Sequence, residues 1–218
     1  MKFLMLISVL FSSLSFAGEV YDKFPAQINA NEKYVFYSHG FIVEGTNPTP
    51  KNKRWGVYEF PAIKQSLSDS EYNLIAYHRP KGTDPFKHAE TLAKDVRELL
   101  KNGVDAKHIT IMGFSRGAFI TAIASHYLES TPVKTILLAA CGGIVSNKYS
   151  DIKMNGDLLS VYEESDRAGT CKKLKNRSVN LKSFEEISIS TGKEHGAFFR
   201  PMPEWVVPVK RWIKENSR

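Results

Sequence analysis

Gly113-Phe114-Ser115-Arg116-Gly117 sets one serine between two glycines. A β-rich run, Ile109 to Met112, leads straight into it, and an apolar stretch, Ala118 to Leu128, leads straight out. A strand, a sharp turn and a helix in that order would present the Ser115 hydroxyl at a helix N-terminus. Free N–H groups and the helix dipole favour developing negative charge there. A turn this tight predicts a strained backbone at Ser115, with glycine at 113 and 117 because side chains would clash. A serine hydroxyl is a weak nucleophile at neutral pH, so acyl transfer needs a base beside it and a group that orients the base.

Those partners must come from elsewhere in the chain, and the chain alternates. Short β-rich runs occur at Tyr34–Tyr37, Leu74–Tyr77, Ile109–Met112, Thr135–Ala139, Leu158–Tyr162 and Ile187–Ser190. Continuous apolar runs of this length suit strands buried on both faces of a parallel sheet. Between them, Ala89, Leu92, Ala93, Val96, Leu99 and Leu100 form one helical stripe, with Gly103 placed to end it. Near the C-terminus Trp205, Val209, Trp212 and Ile213 form another, with Pro203 suited to a first turn. Pro208 predicts a kink or a later helix start there. The alternation predicts an α/β, doubly wound, mostly parallel sheet of about six or more strands flanked by helices. Residues 41–57 break the pattern, and their polar, turn-rich composition predicts a long surface loop.

With the serine motif in its strand–turn–helix setting, the sequence resembles the α/β-hydrolase superfamily over nearly all of residues 18–218. The resemblance implies a triad ordered serine, acid, histidine, each on a loop following a strand. His195 follows the last β run and no other histidine lies in the last ninety residues, so the resemblance makes it the base. Asp166, after the Leu158–Tyr162 run, matches the acid; Glu163 and Glu164 are the alternatives. The implied oxyanion donors are the Arg116 N–H and a backbone N–H after the first central run, at Gly40 or Phe41. His39 reads as a brace for that loop. The function implied is a serine hydrolase acting on an ester or thioester through an acyl-enzyme. A peptidase or acyltransferase on the same residues, or a hydrolase-like binding protein, are the alternatives. About seventeen residues separate Ala140 from Leu158, too few for a helical cap. An open cleft is therefore expected, partly roofed by residues 41–56, suited to a small or polymer-attached ester.

The N-terminus sets the compartment. Lys2, the apolar run Phe3–Phe11 and Ser15-Phe16-Ala17 read as a signal peptide over residues 1–17. That predicts export to a periplasmic or extracellular space and one domain over residues 18–218. In an oxidising compartment Cys141 and Cys171 are a candidate disulfide, the alternative being two buried thiols. Two cysteines exclude a disulfide-framework miniprotein or a Cys-rich zinc module. A composition 42% hydrophobic and 24% charged excludes a disordered chain. The 30 Lys+Arg against 23 Asp+Glu give net charge +7, spread along the chain without the basic–aromatic interleaving of a nucleic-acid binder. The densest cluster is Lys172, Lys173, Lys175 and Arg177. An attraction for anionic substrates is one reading of it. His78, Arg79, Lys81 and Asp84 read as a solvated turn near the same sheet edge. No spacing implies a metal, a nucleotide or another cofactor, and no run after the leader is long enough to span a membrane.

Overall fold

The computed structural model describes residues 18–129 and 131–215; the expected leader, residues 1–17, lies outside them. Nine strands and five α-helices follow one another in the described chain. They are β1 (Val20–Tyr21), β2 (Tyr34–Ser38), β3 (Lys51–Asn52), β4 (Gly56–Val57), α1 (Phe60–Leu67), β5 (Asn73–Ile75) and α2 (Pro85–Lys101). After these come β6 (Ile109–Phe114), α3 (Arg116–Tyr127), β7 (Lys134–Leu138), β8 (Asn155–Glu163), α4 (Lys172–Arg177), β9 (Asn180–Ile189) and α5 (Pro203–Lys214).

Seven strands form one sheet in the order β1-β5-β2-β6-β7-β8-β9. Every pairing in it is parallel. The two-residue period of a strand sorts the core. Tyr34 and Phe36 of β2 face α2 and α3 on one side of the sheet. Val35 and Tyr37 face α1 and α5 on the other. Helix α3 is buried continuously from Gly117 to Ser125, because it lies against the sheet under α2.

Several details differ from the pattern read along the chain. β9 is an edge strand with most of its side chains at least partly exposed, so unlike its partner β8 it is not buried on both faces. α5 runs unbroken through Pro208, correcting the expectation of a later helix start. The segment 41–57 is not all loop: it holds a 3-10 turn at Phe41–Val43 and the antiparallel hairpin β3–β4. The span between β7 and β8 carries one short π-helical stretch, Ile144–Lys148.

Candidate active site

β6, the strand leading to Ser115, lies in the middle of the sheet between β2 and β7. Its last residue is Phe114, and α3 starts at Arg116, so the whole reversal falls on Ser115. Ser115 has φ 55° and ψ −116°, a left-handed conformation that costs a non-glycine residue roughly 1–3 kcal/mol. The flanking glycines are required sterically. A Cβ on Gly113 would stand 2.4 Å from the Gly117 backbone. One on Gly117 would stand 1.9 Å from the Ser38 carbonyl oxygen. α3 can approach the end of β2 this closely only without a side chain at 117.

The loops after β8 and β9 bring two further groups to Ser115. His195 Nε2 lies 2.8 Å from Ser115 Oγ. His195 Nδ1 lies 2.6 Å from Asp166 Oδ2. Glu163 is not at the imidazole. It is 1% exposed and clasps the two loops together. Its Oε1 accepts from the N–H groups of Thr191 (3.0 Å) and Gly192 (2.9 Å) and from the Thr191 hydroxyl (3.3 Å). Its Oε2 accepts from the Ser165 N–H (2.7 Å) and hydroxyl (2.5 Å). Burial alone would raise its pKa, but these donors hold it below the usual glutamate range. Glu164 is exposed.

On the other side of Ser115 the turn after β2 supplies backbone donors. The Gly40 N–H is already donated to the Tyr58 hydroxyl at 3.3 Å. Arg116 opens α3, where the first N–H groups have no partner within the helix. His39 braces this turn. Its Nε2 accepts from the Arg79 N–H at 2.9 Å, so Nδ1 carries the proton and donates to the Gly40 carbonyl at 2.8 Å. Burial, reinforced by the Arg79 charge, pushes its pKa down to about 2, so it stays neutral. Arg79 is the buried residue of this cluster, correcting its reading as part of a solvated turn. Its side chain is 1% exposed, donates to the His39 carbonyl and lies 3.5 Å from Glu44 Oε1. The same Glu44 oxygen accepts from Arg116 Nε at 3.0 Å. His78 Nε2 contacts the Val43 carbonyl, and Asp84 caps α2.

Ser115, His195 and Asp166 line a cavity of about 790 Å³. One wall is apolar: the Phe119 and Tyr149 rings lie 5.0 Å apart, and Phe86 meets both edge-on. The hairpin β3–β4 brings Trp55 against the His195 ring, at 5.3 Å between centroids. Glu194 fixes it by accepting from Trp55 Nε1 (3.0 Å) and Arg54 Nη2 (2.6 Å). Cys141 and Cys171 are joined, tying the segment after β7 to the loop carrying Asp166. Arg177, in the basic cluster, turns inward: its guanidinium donates to the carbonyls of Ile152, Val145 and Tyr149. The roles of Glu163, Arg79 and Trp55 escaped sequence reasoning. Only Trp55 left a signal, as the one tryptophan within a polar loop.

A parallel sheet with a strained serine turn on its central strand is the α/β-hydrolase architecture. A family model for phospholipases and carboxylesterases matches residues 80–161, the stretch holding the serine motif. SOBER1 of Arabidopsis thaliana superposes with a TM-score of 0.55 at 14% identity, covering 84% of this chain and 98% of that one. A Pyrococcus furiosus esterase gives 0.57 at 13% identity, over 87% and 85%. A lipase-esterase related protein from Clostridium acetobutylicum gives 0.51 at 14%, over 86% and 96%. No curated protein sequence matches significantly. The chain thus has the α/β-hydrolase fold, and its relatives by structure are esterases and hydrolases.

Proposed function

We propose that this chain is an exported serine hydrolase that cleaves carboxylic esters through Ser115, His195 and Asp166. The observation that carries the reading is the pair of hydrogen bonds linking the three, 2.8 Å and 2.6 Å long, on a serine held at φ 55°. For Nε2 to accept the serine proton, Nδ1 must carry the ring's proton, and Asp166 is placed to hold that tautomer.

Ser115 Oγ attacks the ester carbonyl carbon while its proton passes to His195 Nε2. The carbonyl oxygen gains the negative charge and accepts from the Arg116 and Phe41 N–H groups, since the Gly40 N–H is engaged by Tyr58. The C–O bond to the alcohol breaks, and the leaving oxygen takes the proton from Nε2. A water then repeats the sequence on the acyl-enzyme: its proton goes to Nε2, its oxygen bonds to the carbonyl carbon, and Ser115 leaves with the proton. Asp166 orients the imidazole and stabilises the imidazolium in both halves.

Export is favoured by the leader-like residues 1–17 and is compatible with the disulfide. No helix among the described residues is long and apolar enough to cross a membrane. The test is turnover of 4-nitrophenyl acetate and butyrate by the full chain. Ser115→Ala should lower kcat by about 10⁴-fold or more with KM little changed. Undiminished turnover by that variant would overturn the reading.

A further inference from the structure

A second cleft, of about 310 Å³, adjoins the active-site cavity. The two share Arg54, Trp55 and Glu194 in their walls, so one extended molecule with its ester at Ser115 can reach both. The remaining wall is made by Lys193 and Arg200, with Gly192 exposed and Gly196 buried beneath Trp55.

The charges in this cleft do not balance. Its one carboxylate, Glu194, has both oxygens engaged, by Arg54 at 2.6 Å and by Trp55 Nε1 at 3.0 Å. That leaves Lys193 and Arg200. Lys193 is exposed, and its ammonium pairs with no carboxylate among the described residues. Arg200 is half-buried. Its Nη2 donates to the Trp55 carbonyl at 3.0 Å, while its Nε is shielded from solvent with no partner among the described residues. A partly desolvated guanidinium without a counter-ion is costly, and an anion placed against it recovers that cost. Across the main cavity, Lys148 and Arg167 add two more cations to the rim.

Resting on the hydrolase reading above, we propose that the second cleft is a subsite for an anionic group, a carboxylate or a phosphate, carried by the ester substrate. Trp55 then forms the divide between the scissile ester and the anion. Lys193 and Arg200 are specificity-determining residues for the anion and take no part in proton transfer.

The test compares matched esters that differ in charge. On the acyl side the probes are the mono-4-nitrophenyl esters of adipate and suberate, against their methyl esters. On the alcohol side they are 4-acetoxybenzoate and 4-acetoxyphenyl phosphate, against 4-methylphenyl acetate. At least one anionic probe should exceed its neutral counterpart in kcat/KM by roughly three- to tenfold, the range two partly exposed charge contacts supply. Whether a carboxylate or the phosphate shows it identifies the anion. The advantage should shrink with added salt. In Lys193→Glu it should fall to about one or below, mainly through KM. Arg200→Gln should also lose it, with a further drop in kcat because the Trp55 carbonyl loses its donor. Equal or better turnover of the neutral partner in every pair would overturn the proposal, as would an advantage unchanged in Lys193→Glu. Failure of the hydrolase reading looks different: no ester in either set is turned over.

Discussion

Two buried glutamates hold the two halves of the site by different physics. Glu44 ties the turn after β2 to the start of α3 through charge. One of its oxygens faces both Arg79 and Arg116, and the other has no hydrogen-bond partner among the described residues. Glu163 ties the Asp166 loop to the His195 loop through five hydrogen bonds from backbone and hydroxyl donors, and forms no ion pair among the described residues. The first arrangement tolerates loose geometry but depends on charge. The second has little Coulombic content but depends on every donor standing in place. The backbone positions near Phe41 and Arg116 are thus set by an ion pair, and the distance from Asp166 to His195 by a hydrogen-bonded clasp.

Removing the charge from Glu44 should be the most damaging change to this pair. Glu44→Gln leaves Arg79 buried without its counter-charge, and burial lowers that guanidinium only to about 10, so it remains a cation. The expected loss is about 3–5 kcal/mol of stability, read by urea unfolding. Next comes the staple beside the clasp. Cys141→Ser with Cys171→Ser opens a link spanning 30 residues, and should cost roughly 3–4 kcal/mol on the chain-entropy account. Turnover by the remaining folded protein should change little if Glu163 alone sets the Asp166–His195 spacing. A fall in kcat as large as the fall in stability would show that the clasp depends on the staple.

Glu163→Gln should cost less, about 2–3 kcal/mol, because an amide turns donors toward N–H groups that had an acceptor. Its effect should fall on kcat through the loop spacing. It should also alter the acid limb of stability. Glu163 has a lowered pKa in the folded chain, so its contribution is complete above the unfolded glutamate value of about 4.3. It is lost as the pH falls through the folded value. Wild type should therefore lose stability more steeply than Glu163→Gln below about pH 4. Parallel curves would mean that the clasp is weaker than its hydrogen bonds suggest.

What could be read from the sequence was local. The serine turn was legible because its glycines, strand and helix are adjacent in the chain. The alternation of runs exposed the sheet and the three long helices, because buried parallel strands write continuous apolar stretches. Glu163 was not legible, since its donors arrive from Thr191 and Gly192 on the next loop. Arg79 read as solvated for the same reason: its partners, His39 and Glu44, come from a different loop. Even the choice among Glu163, Glu164 and Asp166 turns on where one loop points, which composition does not encode. Pro208 misled because α5, buried along Trp205, Val209 and Trp212, continues past it even though the Glu204 carbonyl loses its helical donor.

The central claim is that Ser115 is a nucleophile activated by His195 and Asp166. The most direct measurement is mass spectrometry of the full chain after reaction with a fluorophosphonate, which bonds covalently only to an activated serine. One adduct should map to Ser115, and labelling should slow by about 10²-fold or more in Asp166→Asn and stop in His195→Ala. An adduct on another residue, or labelling of the Asp166 and His195 variants at the wild-type rate, would contradict the account.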